Sequence, residues 1–119
     1  LLSALAAYIP RDRVEHILHG ALLTDDGVAL IADISGFTPL TEALTHGLSP
    51  DRGAEELTRA LEGVFTPLIA QIHAFGGSVI KFGGDALIVW YPRPPRARRR
   101  AVVRRAITSA WRMQNAIRR

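Results

Sequence analysis

The sequence predicts an α+β domain whose elements follow the order β-α-α-β-β-α. An almost continuous apolar and β-branched run over residues 28–34 is typical of a strand that is covered on both faces. Two further apolar runs, over residues 78–82 and 85–91, are separated by a Gly-Gly pair, which is typical of a hairpin. Segments with apolar residues at helical spacing lie between the first strand and the hairpin, and again after the hairpin.

The predicted helices begin at recognisable capping signals. A hydroxyl residue followed by proline opens a short helix at Thr38, which ends near Gly47, and a longer helix at Ser49. Pro67 lies inside the longer helix and should kink or divide it. The last helix starts at about Arg98 and is expected to bury Val102, Ala106, Ile107, Ala110, Met113 and Ile117.

Length and composition limit the class of protein. The 119 residues are enough for one domain with a substantial core. No run of 18 or more uncharged apolar residues occurs, so we expect no membrane span in this segment. The absence of cysteine excludes disulfides and thiolate metal ligands. We expect an excerpt of a longer protein, with residues 1–24 as a helical lead-in to a domain over residues 25–119.

Charge is divided unevenly along the chain. Residues 1–92 carry five basic side chains against eleven acids, a net charge of −6, whereas residues 93–119 carry ten arginines and no acid. A basic segment of this kind could bind nucleic acid or an anionic membrane surface. We favour a solvated helix face whose acidic partners lie in a part of the protein outside this segment, because no aromatic residues are interleaved among the arginines of residues 93–105 to stack bases. Nucleic acid is therefore not an expected partner.

Two aspartates beside glycines are the candidate functional residues. Asp33 lies at the carboxyl end of the first strand, and Asp85 begins the strand after the Gly-Gly turn. Two carboxylates about 4 Å apart repel by about 4 kcal/mol at an effective dielectric of 20. A divalent cation removes that penalty, and Mg²⁺ favours carboxylate and phosphate oxygens. Because the amides of residues 35–38 enter a helix and can hold phosphate oxygens, the pattern predicts a two-cation phosphoryl-transfer site.

These motifs resemble the catalytic domain of class III nucleotidyl cyclases. The resemblance rests on Asp-Ile-Ser-Gly-Phe-Thr at residues 33–38 and on Gly-Gly-Ser-Val-Ile-Lys-Phe-Gly-Gly-Asp-Ala-Leu-Ile at residues 76–88. It extends through residues 51–57, which are similar to the soluble, bicarbonate-responsive adenylyl cyclase branch. The resemblance implies the ferredoxin-like core of a cyclase domain over residues 25–119, with the C-terminal part of that domain missing.

The resemblance also implies roles for individual residues. Asp33 and Asp85 would be the catalytic aspartates that hold two Mg²⁺ or Mn²⁺ ions, and Ile34 would add its backbone carbonyl. Phe37 and Thr38 match the backbone positions that hold the triphosphate of the substrate. The implied reaction forms cAMP and pyrophosphate from ATP at a dimer interface, for signalling in the cytoplasm.

Lys81 matches the position where adenylyl cyclases carry a purine-reading lysine, which favours ATP over GTP. In the soluble branch, the equivalent lysine of one half can instead serve a regulatory bicarbonate site. With Gly83-Gly84 as the loop, Phe82 would pair with Asp85 and Lys81 with Ala86, so Lys81 and Asp85 would point to opposite faces. That geometry fits a site shared with a second cyclase domain, either in a homodimer or in a tandem pair.

Several alternatives stay open at this point. The family's second purine-reading residue and its transition-state asparagine and arginine come from beyond the last helix, so we expect the excerpt by itself to be inactive. A catalytically silent regulatory half could bind metal-nucleotide or bicarbonate without turnover. Two further alternatives are a relative of the diguanylate cyclases and a nucleic-acid-binding module that binds through the arginines.

Overall fold

The computed structural model describes residues 9–10, 13–14, 17, 19–20, 25–47, 49–83 and 85–118. The predicted lead-in over residues 1–24 lies mostly outside the described residues. In the described part the chain forms six elements, in the predicted order and of the predicted α+β class: β1 (Gly27–Asp33), α1 (Phe37–Gly47), α2 (Pro50–Ala74), β2 (Ser78–Gly83), β3 (Ala86–Pro92) and α3 (Arg99–Ile117).

The strands form one antiparallel sheet in the order β1-β3-β2, so β3 is the central strand. Leu87, Val89 and Tyr91 are fully buried, whereas the residues between them are half-buried. This alternation places successive side chains on opposite faces of the sheet. The prediction that the first strand is covered on both faces is wrong for the described residues, because the side chain of Ile31 is 72% exposed.

The covered face of the sheet packs against α2 and α3 to form the hydrophobic core. The buried members of this core come from β3 and from the two helices: Leu87, Val89, Tyr91, Leu68, Ile72, Val102, Ala106 and Met113. The hydroxyl of Tyr91 donates a hydrogen bond to Ser109 Oγ at 2.7 Å, which satisfies a polar group that would be costly to bury unpaired. Burial raises the pKa of the Tyr91 phenol above its ordinary value.

The helix that follows β1 and the long helix after it begin close to the predicted positions. α1 begins at Phe37, one residue before the predicted cap, and ends at Gly47 as expected. Ser49 is the N-terminal cap of α2 and has extended backbone angles, with Pro50 in the first turn. Pro67 does not divide this helix, since α2 runs from Pro50 to Ala74; the other expected outcome, a kink at Pro67, stays a prediction.

The buried stripe of α3 differs from the predicted one. Val102, Ala106 and Met113 are buried as expected, whereas Ile107 and Ile117 are 64% and 50% exposed. Apolar residues surround most of this helix, so its docking angle on the sheet decides which of them are covered. The helix instead buries Ser109 under Tyr91.

Candidate functional site

The turn between β2 and β3 differs from the predicted one by one residue. Gly83 pairs with Ala86, Phe82 with Leu87, and Lys81 with Ile88. The predicted pairing of Phe82 with Asp85 is therefore wrong, and Asp85 lies in the turn. If Asp85 were in the strand, its side chain would point to the same face as that of the buried Leu87. Its carboxylate would then be directed toward the core, and burying that charge would cost free energy.

The structure brings the two candidate aspartates to the same end of the sheet. Asp33 pairs with Ala86 in the register between β1 and β3. The next amide along, Ile34 N, donates a hydrogen bond to the carbonyl oxygen of Asp85 at 3.0 Å. Asp33 is exposed and Asp85 is half-buried. Sequence reasoning assigned only the carbonyl of Ile34 and missed this amide contact, which requires Asp85 to lie in the turn.

The chain enters α1 directly after this contact. Gly36 has φ +87°, a left-handed conformation that suits glycine and lets the backbone reverse from strand to helix. Leu40 N already donates to Gly36 O at 3.2 Å, and Pro39 has no amide hydrogen. The amides of Phe37 and Thr38 are thus the first-turn donors left without an intrahelical acceptor, as the predicted phosphate-holding positions require.

Lys81 lies on the uncovered face of the sheet. Its partner in β3, Ile88, pairs in turn with Ile31 in β1. Directly paired residues point to the same face, so these three side chains form one row, and Asp33 belongs to the next row on that face. The expectation that places Lys81 and Asp85 on opposite faces used a register that does not form. From strand spacing, the Cα atoms of Lys81 and Asp33 lie on the order of 12 Å apart.

The donor set at the strand ends suits a hard cation. Its oxygen donors are the carboxylates of Asp33 and Asp85 and the carbonyl of Ile34, the ligand type that Mg²⁺ and Mn²⁺ favour. Across the described parts of the chain, no group of three or more histidine or acidic side chains comes together to hold a metal. This set fits an ion that also takes substrate phosphate or water, and it does not fit an ion held by protein side chains alone.

A pocket of about 380 Å³ opens beside β1 on the side of the sheet that carries the helices. Asp33, Ile34 and Ser35 border it, and most of its lining is apolar and comes from the sheet, α2 and α3. Lys81 and Asp85 do not line it. The pocket therefore adjoins the cluster at the strand ends through Asp33 and Ile34, whereas Lys81 lies on the uncovered face of the sheet.

The chain matches curated adenylate cyclases over part of its length. The chain is 43% identical over 63 residues to adenylate cyclase type 10 of Rattus norvegicus, and equally so to the Homo sapiens protein. The match spans 53% of this chain and 4% of the length of those relatives. No protein-family model matches the chain.

Solved structures share the fold. The structure of a bacterial light-regulated adenylyl cyclase matches 93% of this chain with a TM-score of 0.63 at 23% identity, over 30% of its own length. A second structure of such a cyclase matches with a TM-score of 0.65. The sequence match and the fold together confirm the resemblance to adenylyl cyclases: the chain has the architecture of part of an adenylyl cyclase domain.

Proposed function

We propose that the protein is a cytoplasmic adenylyl cyclase that forms cAMP and pyrophosphate from ATP, with Asp33 and Asp85 as its metal-holding residues. The observation that carries the proposal is the 3.0 Å hydrogen bond from Ile34 N to the carbonyl of Asp85, because it holds both aspartates at one end of the sheet. The sequence match to adenylate cyclase type 10 supports ATP as the substrate.

Each group at the strand ends has a distinct task in this proposal. Asp33 and Asp85 supply anionic oxygens, and Ile34 supplies its neutral carbonyl oxygen. Two Mg²⁺ or Mn²⁺ ions, when bound, would lower the pKa of the ribose 3′-hydroxyl and neutralise charge on the departing pyrophosphate. The amides of Phe37 and Thr38 donate to phosphate oxygens and hold the triphosphate in line for attack.

The uncovered face of the sheet supports a second cyclase domain as partner. Ile31 is 72% exposed, and Ile88 and Trp90 of the same face are half-buried. An apolar sheet face of this kind is stabilised when another domain covers it. The partner domain, a second copy or an unlike tandem half, would also bring the purine-reading Lys81 of one domain to the aspartates of the other.

The test is cyclic-nucleotide production by the full-length protein with Mn²⁺, using ATP or GTP, with and without bicarbonate. We expect cAMP from ATP, and loss of product in the Asp33→Ala and Asp85→Ala variants. Asp25→Ala is the matched control, because Asp25 is an exposed aspartate outside the site. Stimulation by bicarbonate that Lys81→Ala removes would assign Lys81 to regulation.

Two results would contradict the proposal. Turnover retained by a purified Asp33→Ala/Asp85→Ala double variant would remove the aspartates from the chemistry. Absence of product from a folded, dimeric protein that still binds Mn-ATP would favour the silent regulatory half.

A further inference from the structure

α3 carries a row of exposed apolar side chains on the side that faces away from the core. Val103, Ile107 and Trp111 follow one another at four-residue intervals and therefore lie on one face of the helix. They are 43%, 64% and 59% exposed. The opposite face of α3 is already packed in the core, so folding of the described residues does not account for this row.

Unneutralised positive charge borders the same row. Arg100 and Arg104 lie within about 60° of Ile107 around the helix and are exposed. Among the described residues, neither has a carboxylate within salt-bridge distance; the ion pairs at this end of the molecule join Arg93 and Arg99 to Asp26. Nothing on the segment balances these charges, since residues 93–119 contain no acid.

We propose that this face of α3 binds the surface of an anionic lipid bilayer. The arginines would contact lipid phosphates and carboxylates, and the apolar row would enter the boundary between headgroups and acyl chains. The indole of Trp111 suits that depth, because its ring is apolar and its N–H is polar. The association is peripheral, as no helix in the described part of the chain is long and apolar enough to cross a membrane.

The apolar row is the feature that favours a bilayer over other anionic partners. Arginines alone would suit nucleic acid equally well, but the aliphatic Val103 and Ile107 offer nothing to phosphates or bases and require an apolar phase. A protein partner is usually held in register by charges of both signs, whereas both charged side chains within about 60° of Ile107 on α3 are arginines. A bilayer demands no register, only negative charge and an apolar interior.

Docking through this face leaves the candidate site accessible. α3 packs against the covered face of the sheet, so its exposed row points away from the sheet and from the uncovered face that carries Asp33 and Lys81. The same molecule can therefore bind a bilayer through α3 while a second domain covers the sheet. The inference does not depend on cyclase activity.

The experiment is cosedimentation of the full-length protein with vesicles of phosphatidylcholine, with and without phosphatidylserine. We expect binding only to vesicles that contain phosphatidylserine. The Arg100→Gln/Arg104→Gln variant should bind about thirtyfold more weakly, since each charge near the surface is worth roughly fivefold. The matched control is Arg52→Gln/Arg59→Gln, which removes two exposed arginines from α2 and should bind like the unchanged protein.

A second measurement reports directly on insertion. The contribution of Trp111 is the difference in emission between the unchanged protein and its Trp111→Phe variant; that emission should shift to the blue on anionic vesicles and be quenched by brominated acyl chains. Ile107→Ser/Val103→Ser should weaken binding at unchanged charge. Unchanged Trp111 emission, equal weakening by the α2 control, or absence of vesicle binding with tight binding to duplex DNA would each overturn the proposal.

Discussion

The two faces of the sheet are formed by the same three strands and yet differ in how far their side chains are exposed. On the covered face, Leu87 and Val89 are fully buried beneath α2 and α3. On the uncovered face Ile31 is 72% exposed, and Asp33 and Lys81 are reachable from solvent. The helices cover one face only, so the buried apolar contacts are concentrated there, and the proposed site residues Asp33 and Lys81 lie on the other.

The largest difference should appear when one apolar residue on each face is shortened. Leu87→Ala leaves a cavity in the core and should lower the free energy of unfolding by about 2–5 kcal/mol. Ile31→Ala removes a side chain that is already hydrated and should change it by about 0.5 kcal/mol or less. Urea denaturation at low protein concentration checks both. A comparable loss in the two variants would mean that the second face is also covered in solution.

Lys81 tests whether the uncovered face selects the nucleotide. Lys81→Glu should lower kcat/KM for ATP relative to GTP by about tenfold, because a carboxylate opposes the acceptor atoms that the ammonium group would bind on adenine. The free energy of unfolding should not change, since Lys81 is exposed. Steady-state kinetics with both nucleotides make the measurement, with Arg59→Glu as the charge-matched control. An unchanged ratio would remove Lys81 from purine recognition.

Tyr91 tests whether polar contacts add to the stability of the covered face. Tyr91→Phe removes the 2.7 Å hydrogen bond to Ser109 Oγ and should cost about 1 kcal/mol in the free energy of unfolding. Ser109→Ala and the double variant complete a thermodynamic cycle that isolates the pair. A coupling energy of zero would show that packing alone stabilises this part of the core.

Asp26 should give the smallest effect, at the end of the sheet away from the site. The hydrogen bond from Arg93 Nε at 2.8 Å holds the pKa of Asp26 below its ordinary value. Its contribution to stability is therefore present above the unfolded-state pKa and lost as pH falls through the lower folded-state pKa. In Asp26→Asn the free energy of unfolding should fall less steeply as the pH is lowered, measured between about pH 5 and pH 2. Asp25→Asn should leave this pH dependence unchanged.

Local signals were sufficient to predict the kind and order of the elements. Apolar alternation and helical spacing act within a few residues, and proline and glycine set the starts and ends near Pro50 and Gly47. The position of Asp33 at the end of β1 follows from the same local pattern. These features depend on backbone sterics and side-chain periodicity, which each segment carries by itself.

The register of the hairpin could not be predicted from the residues near the turn alone. Gly83, Gly84 and Asp85 are all good turn residues, so the sequence permits more than one two-residue loop. The face that α2 and α3 bury fixes the choice, because shifting a strand by one residue exchanges its faces. The exposure of Ile107 has a similar origin, since the angle at which α3 docks selects its buried stripe.

The sequence by itself determined the element order and the residue types available at the ends of the strands. Only the tertiary structure decided that the turn holding Asp85 lies beside Ile34, that Lys81 shares a sheet face with Asp33, and that the apolar row of α3 faces outward. The physical reason is that pairing between strands distant in the chain depends on burying one complete face of the sheet, a condition that no single segment contains.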